Sequence, residues 1–150
     1  QRLSRGLGDV YKRQIVTVNK EIDGFILNRL QGALLNEAMR LYSEGYASSE
    51  DIDATIKDGL GLRWAFMGPF ETIDLNAPGG IKDYMARYGS IFIEMAKSQT
   101  KIPDWSENAG KKLELERRKV LSEDDLEKRA KKRNFLLKQL RKLKIENDET

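Results

Sequence analysis

An all-α chain is predicted from three observations. Apolar residues recur every three or four positions through long stretches, from Leu27 to Leu41 and again from Ile81 to Met95. Helix-start signals stand where such stretches begin: Ser48 with Asp51 three residues on, and Pro69 with Glu71 in a first turn. The β-branched run IVTV at 15–18 stands alone, and an isolated strand has no sheet to join.

Along the chain, QRLSRGLGDVYKRQ (1–14) has neither a helical nor a strand period. Gly6 and Gly8 suggest a dinucleotide loop, but the third glycine, the preceding strand and the following helix are missing. The stretch resembles translated sequencing-adaptor read-through, an artefact of assembly, and is expected to be disordered. Residues 15–22 read as the trailing edge of a strand or linker. DGFILNRLQGALLNEAMRLYSEG (23–45) reads as one long helix stopped by Gly45, and a second helix is expected from Ser49 to Lys57. GLGLRWAFMGPFETIDLNAPGG reads as a glycine-hinged loop leading into a short third helix that ends near Asn76. In that loop Trp64 and Phe66 are expected to pack it, and Glu71 to be a first-turn helix charge.

IKDYMARYGSIFIEMAK carries Ile81, Tyr84, Met85, Tyr88, Phe92 and Met95 on one face, so a fourth helix is expected to pack on the core. KIPDW then breaks the chain. Residues 101–150 form a charged helical extension of two segments, the second with Leu126, Ala130, Leu137 and Leu140 along one side, a face for the domain or for a partner helix. The run KRAKKR (128–133) reads as a solvated helix face in preference to a nucleic-acid patch.

Composition limits the chemistry. At 150 residues with 39% hydrophobic content the chain can build one core. No apolar run approaches about 18 residues and the N-terminal arginines lack a following apolar stretch, so a soluble, cytoplasmic protein without a membrane partner is expected. Zero cysteine and zero histidine exclude disulfides, thiolate sites and Ser-His or Cys-His catalysis within these residues, and no metal site is predicted. A net charge of +3 permits nucleic-acid binding without indicating it.

The long first helix holds the candidate functional residue. At about 100° per residue, Leu27, Leu30, Leu34, Ala38 and Leu41 share one narrow sector, widened by Gln31, Leu35, Met39 and Tyr42. Asn28 falls between Leu35 and Met39, away from Arg29, Asn36 and Arg40 on the solvated side. Its carboxamide is therefore expected in apolar surroundings, where unpaired donors cost about 1 to 3 kcal/mol, so it must meet a protein partner or a ligand. Gly32 lies one turn further on that face, where a glycine is easiest to explain by the close approach of a helix or a substrate.

GFILNRLQGALLNEAMRLYSEGYASSEDIDATIKDGLG followed by GPFETIDL resembles the C-terminal domain of the 3-hydroxyacyl-CoA dehydrogenase family over about residues 15–100. The GFxxNR start, the EDID turn and the GPFE helix occur together, in order and spacing. The resemblance implies a helical domain of the 6-phosphogluconate dehydrogenase-like type over 23–100, preceded by a Rossmann domain of which IVTV is the last piece. It implies an NAD-dependent enzyme that oxidises a 3-hydroxyl to a ketone on a hydroxyacyl-CoA or a sugar acid such as L-gulonate. NAD would be bound by the missing N-terminal domain, so the fragment is expected to hold no cofactor and to be inactive alone.

By the same resemblance Asn28 matches an asparagine beside the reacting oxygen. Arg63, within LGLRWAFMGPFE, is a candidate to pair a substrate carboxylate, with helix capping or a subunit contact equally open. A homodimer through helical faces is expected. The alternative from a different class is a non-catalytic helical module, either structural in the manner of a crystallin or a nucleic-acid binder through its basic C-terminal helix.

Overall fold

The computed structural model describes residues 17–147. The disorder expected at 1–14 and the first half of IVTV lie outside that range, while Thr17 and Val18 form no strand. Every regular element among the described residues is helical, as the periodicity predicts.

Helix α1 spans Phe25–Ser43. Two successive left-handed residues, Gly24 (φ 82°) and Phe25 (φ 53°), lead into it. It ends at Gly45 (φ 79°), where the Gly45 amide donates to the Tyr42 carbonyl at 3.1 Å and the Tyr46 amide to the Leu41 carbonyl at 2.9 Å. This pair satisfies two of the carbonyls that a helix end leaves orphaned, and the left-handed residue it needs is cheapest as glycine. Helix α2 (Ser49–Thr55) starts as the sequence predicts: the Ser48 hydroxyl accepts from the Asp51 amide at 3.1 Å and donates to its carboxylate at 2.6 Å.

The expected glycine-hinged loop is not a loop. Instead of stopping at Lys57, α2 runs into a π-helical turn over Ile56–Leu60 and on into α3 (Gly61–Trp64). The Gly61 amide donates back to the Ile56 carbonyl, five residues earlier. A Cβ on Gly61 would lie 2.7 Å from that carbonyl oxygen, so the missing side chain is what lets the backbone take the wide turn. By sequence this glycine reads as a breaker, but in the fold it permits an inserted residue within a continuing helix.

Helix α4 spans Pro69–Leu75 and packs against α5, Gly80–Ser98. Two carboxylates tie their joint: Asp74 accepts from the Ile81 amide at 2.7 Å and Asp83 from the Gly79 amide at 3.1 Å. Helix α6 (Glu107–Val120), capped by the Ser106 hydroxyl, packs against α2. A 3₁₀ turn at Glu123–Asp125 leads to α7, Leu126–Asn147.

The expected core is open. Met39 and Ala77 are its buried apolar residues, whereas Leu27 (48% exposed) and Leu30 (60%), placed by periodicity on the core side of α1, face solvent. Helix α5, expected to pack its stripe inward, leaves Met85 63% and Phe92 51% exposed. Trp64 and Phe66, expected to pack the loop, are 40% and 58% exposed. The chain exposes 13093 Å², where a compact monomer of 17.2 kDa exposes about 7,800 Å². Full exposure of the residues outside the described range would account for only about 3,000 Å² of that excess. The apolar faces exist as the pattern predicts, but one chain does not supply enough surface to cover them.

The polar side of α1 is better satisfied than a solvated face. Arg40 forks onto Glu37 and reaches Glu44 at 3.4 Å, with its side chain only 13% exposed. The KIPDW segment straps across this side: Lys101 pairs with Glu44 at 3.2 Å, and the Trp105 indole donates to the Asn36 amide oxygen at 3.0 Å.

Candidate functional site

Asn28 lies in the first turn of α1, three residues after the left-handed Phe25. The sequence expectation that it is surrounded by apolar groups is not met, because Asn28 is exposed and so is Leu35, its nearer wheel neighbour, while Met39, the buried one, stands three turns further along the helix. Its carboxamide has no hydrogen-bond partner among the described residues. Asn28 is thus not a satisfied core amide of this chain; its donors and acceptor are open to whatever approaches the N-terminal end of α1. Glu21, Ile22, Asp23, Gly24 and Phe25 line a shallow concavity immediately before it. Gly32, expected to mark a close approach, has nothing within 4 Å of where a Cβ would stand, so the helix face around Asn28 is clear for at least a turn.

Arg63 sits at the C-terminal end of α3, where its carbonyl accepts from the Phe66 and Met67 amides at 3.0 Å each. It belongs to a helix and not to a loop. Its guanidinium is exposed and makes no hydrogen bond or ion pair among the described residues, so it does not cap that helix end. Asn28 and Arg63 are not joined by any contact of that kind: α1 packs on α2, and α3 on α4.

A polar joint missed by sequence reading lies where α1, α2 and α6 meet. The Glu116 carboxylate accepts from both the amide and the hydroxyl of Ser49, each at 2.9 Å, and so serves the start of α2 from 67 residues away. These hydrogen bonds, the Ser49 amide first, hold its carboxyl below the usual range. Burial pushes the Tyr42 hydroxyl up, and the adjacent Glu116 carboxylate adds to that rise. The Tyr42 hydroxyl oxygen is nonetheless buried without hydrogen-bond geometry to any partner, as are Nε and Nη1 of Arg118. Arg117 reaches Asp53 at 3.5 Å, and the Lys112 ammonium stands 5.9 Å from the Tyr42 ring centroid. The joint fastens α6 to the domain. Its sequence signal, Glu116 within LELERR, is indistinguishable locally from a solvated charge run.

Among the described residues no group of three or more acidic side chains could hold a metal ion, and no helix is long and apolar enough to cross a membrane. There is also no strand among the described residues, hence no strand–glycine loop–helix unit there of the kind that cradles a dinucleotide.

Residues 24–122 match the family described as 3-hydroxyacyl-CoA dehydrogenase, C-terminal domain. The chain is 44% identical over 131 residues to lambda-crystallin of Oryctolagus cuniculus, an alignment covering 86% of this chain and 41% of that protein. It is 36% identical over 135 residues to a 3-hydroxyacyl-CoA dehydrogenase of Gibberella moniliformis, covering 87% of this chain and 42% of the relative. An L-carnitine dehydrogenase of Streptomyces coelicolor is 42% identical over 82 residues, covering 54% of this chain and 26% of the relative. The chain thus spans about two fifths of the length of the rabbit and fungal relatives.

Proposed function

Given that the chain belongs to the 3-hydroxyacyl-CoA dehydrogenase C-terminal domain family, we propose that it forms the substrate-facing helical wall of an NAD-dependent dehydrogenase that oxidises a 3-hydroxyl to a ketone. The observation that carries the reading is Asn28, a free carboxamide in the first turn of α1 within the GFILNR stretch. An exposed asparagine with no partner is poised to donate to a developing oxyanion once a second domain closes over it and excludes water. The described residues do not fit a dinucleotide, so NAD on this reading is held outside them and supplies the hydride chemistry there. The contribution of this chain is to bind and orient the substrate oxygen.

Arg63 supports the sugar-acid branch of the substrate range over the acyl-CoA branch, because an unpaired guanidinium fork suits a free carboxylate such as that of L-gulonate. The open faces of α1 and α5 support assembly into a symmetric dimer.

The test joins the chain to a cofactor-binding domain placed before Ile15 and compares the product with its Asn28→Ala variant. The expected outcome is turnover lowered by about 10²- to 10³-fold with NADH affinity unchanged. Unchanged turnover would remove Asn28 from the reaction.

A further inference from the structure

Helix α7 is 22 residues long, about 33 Å, and its packing neighbour within the chain is the 3₁₀ turn that precedes it. A helix of this length is marginal in water unless a face is buried. At about 100° per residue, Leu126, Ala130, Leu136, Leu137, Leu140 and Leu143 fall within an arc of about 140°. Of these, Leu136, Leu137 and Leu143 are 53%, 56% and 48% exposed. Arg129, Arg133 and Lys144 lie inside the same arc. Arg133 donates to the Asn134 amide oxygen at 3.0 and 3.1 Å, but no carboxylate among the described residues pairs with either arginine, so a purely apolar partner would bury these charges without a counter-ion, at a prohibitive desolvation cost. Whatever covers α7 must offer acids next to apolar side chains.

Charge is divided along the chain in a way that meets this requirement. Helix α7 carries nine basic and two acidic side chains, a net of +7, whereas residues 46–76 carry six acidic and two basic, a net of −4. That acidic stretch, running from α2 through the π turn and α3 to α4, also leaves Phe66 58%, Phe70 75% and Leu75 66% exposed. Asp58 and Glu71 are exposed on it. Helix α7 does not lie on this face in its own chain.

We propose that α7 docks in trans, its leucine arc on the α2–α4 face of a second copy, with Arg129 and Arg133 meeting acids such as Asp58 and Glu71. Half the surface of a helix 33 Å long and about 10 Å across is about 500 Å². Two reciprocal dockings bury about 2,000 Å² over both partners, within the range of stable dimers. A nucleic acid would neutralise the lysines but leave the leucine arc bare. An anionic lipid surface would cover both, yet it would repel the acidic α2–α4 face and leave that face's aromatic residues uncovered.

The experiment is a charge exchange on the 150-residue chain, read by sedimentation velocity between 1 and 100 µM at physiological salt (these concentrations being about tenfold either side of a typical weak dimer constant). One variant is Arg129→Glu with Arg133→Glu; the other is Asp58→Lys with Glu71→Lys. Each alone is expected to weaken self-association at least about tenfold, and an equimolar mixture to restore it, because the reversed helix then meets the reversed face. Association unchanged in either variant, no rescue on mixing, or a monomeric parent chain would each overturn the proposal. So would a helix reversal that leaves association intact while abolishing binding to a DNA duplex or to phosphatidylserine vesicles. An unchanged dimer in both variants would leave the α1 and α5 contacts standing and sink only the α7 exchange. Should circular dichroism reveal lost helix in a variant, a chain ending at Asp125 must associate at least about tenfold more weakly than the parent. Undiminished association of that chain overturns the proposal equally.

Discussion

On the reading proposed above, Arg63 is the side chain that would separate the substrate classes. With its guanidinium unpaired among the described residues, Arg63→Ala removes no internal contact, and stability should change by less than about 0.5 kcal/mol. In the two-domain enzyme the same substitution should raise KM for a sugar acid by about tenfold or more and leave an acyl-CoA substrate unaffected; equal effects on both would return Arg63 to a subunit contact. Glu116 makes the opposite kind of prediction. Its carboxyl is held below its ordinary 4.5 in the folded chain by the Ser49 amide first and by the Ser49 hydroxyl beside it. The unfolded state therefore binds the proton first as pH falls. Its stabilising contribution is fully present above about pH 4.5 and is lost as pH drops through the lower folded value. Urea midpoints measured from pH 6 to 3 should decline more steeply for the parent than for Glu116→Gln; parallel curves would mean that Glu116 is not a linkage group.

At the scale of elements, the start of α2 and the π turn after it make contrasting cases. Ser48→Ala removes an acceptor from the Asp51 amide and should cost about 1 kcal/mol, visible as a lowered urea midpoint with unchanged slope. In the π turn, Gly59→Ala meets nothing within 4 Å and should be neutral or stabilising by up to about 1 kcal/mol. Gly61→Ala would set a Cβ 2.7 Å from the Ile56 carbonyl oxygen and should destabilise by about 1 to 3 kcal/mol. The order of the two alanine variants is the test, and a reversed order would mean that the wide turn is absent in solution. The Ser48 cap was legible because everything it needs lies within four residues. The π turn was not, because two glycines near a helix end look alike in sequence whether the chain leaves the helix or inserts one residue and continues.

For the whole molecule, the open faces of α1 and α5 make stability a function of concentration. If dimerisation buries them, the thermal midpoint of the 150-residue chain should rise over a hundredfold increase in concentration, and the dye anilinonaphthalene sulfonate should bind more strongly to dilute samples. A midpoint independent of concentration would mean that these faces are covered by something other than a second copy.

Local pattern determined the helical class, the Schellman end at Gly45, the Ser48 and Pro69 starts and the family, because capping, periodicity and motif spacing are properties of neighbours along the chain. Tertiary structure alone decided which face of each helix is covered. The wheel that sets Asn28 between Leu35 and Met39 gives the shared face, yet Met39 is buried and Asn28 and Leu35 are not, because periodicity records which side chains share a face and carries nothing about what stands opposite it. For the same reason Arg40, assigned to solvent, sits in an ion-pair ladder under the Lys101–Trp105 strap, and Glu116 reaches the first turn of a helix 67 residues away. Burial is a relation between segments distant in sequence, and only the packed chain specifies it.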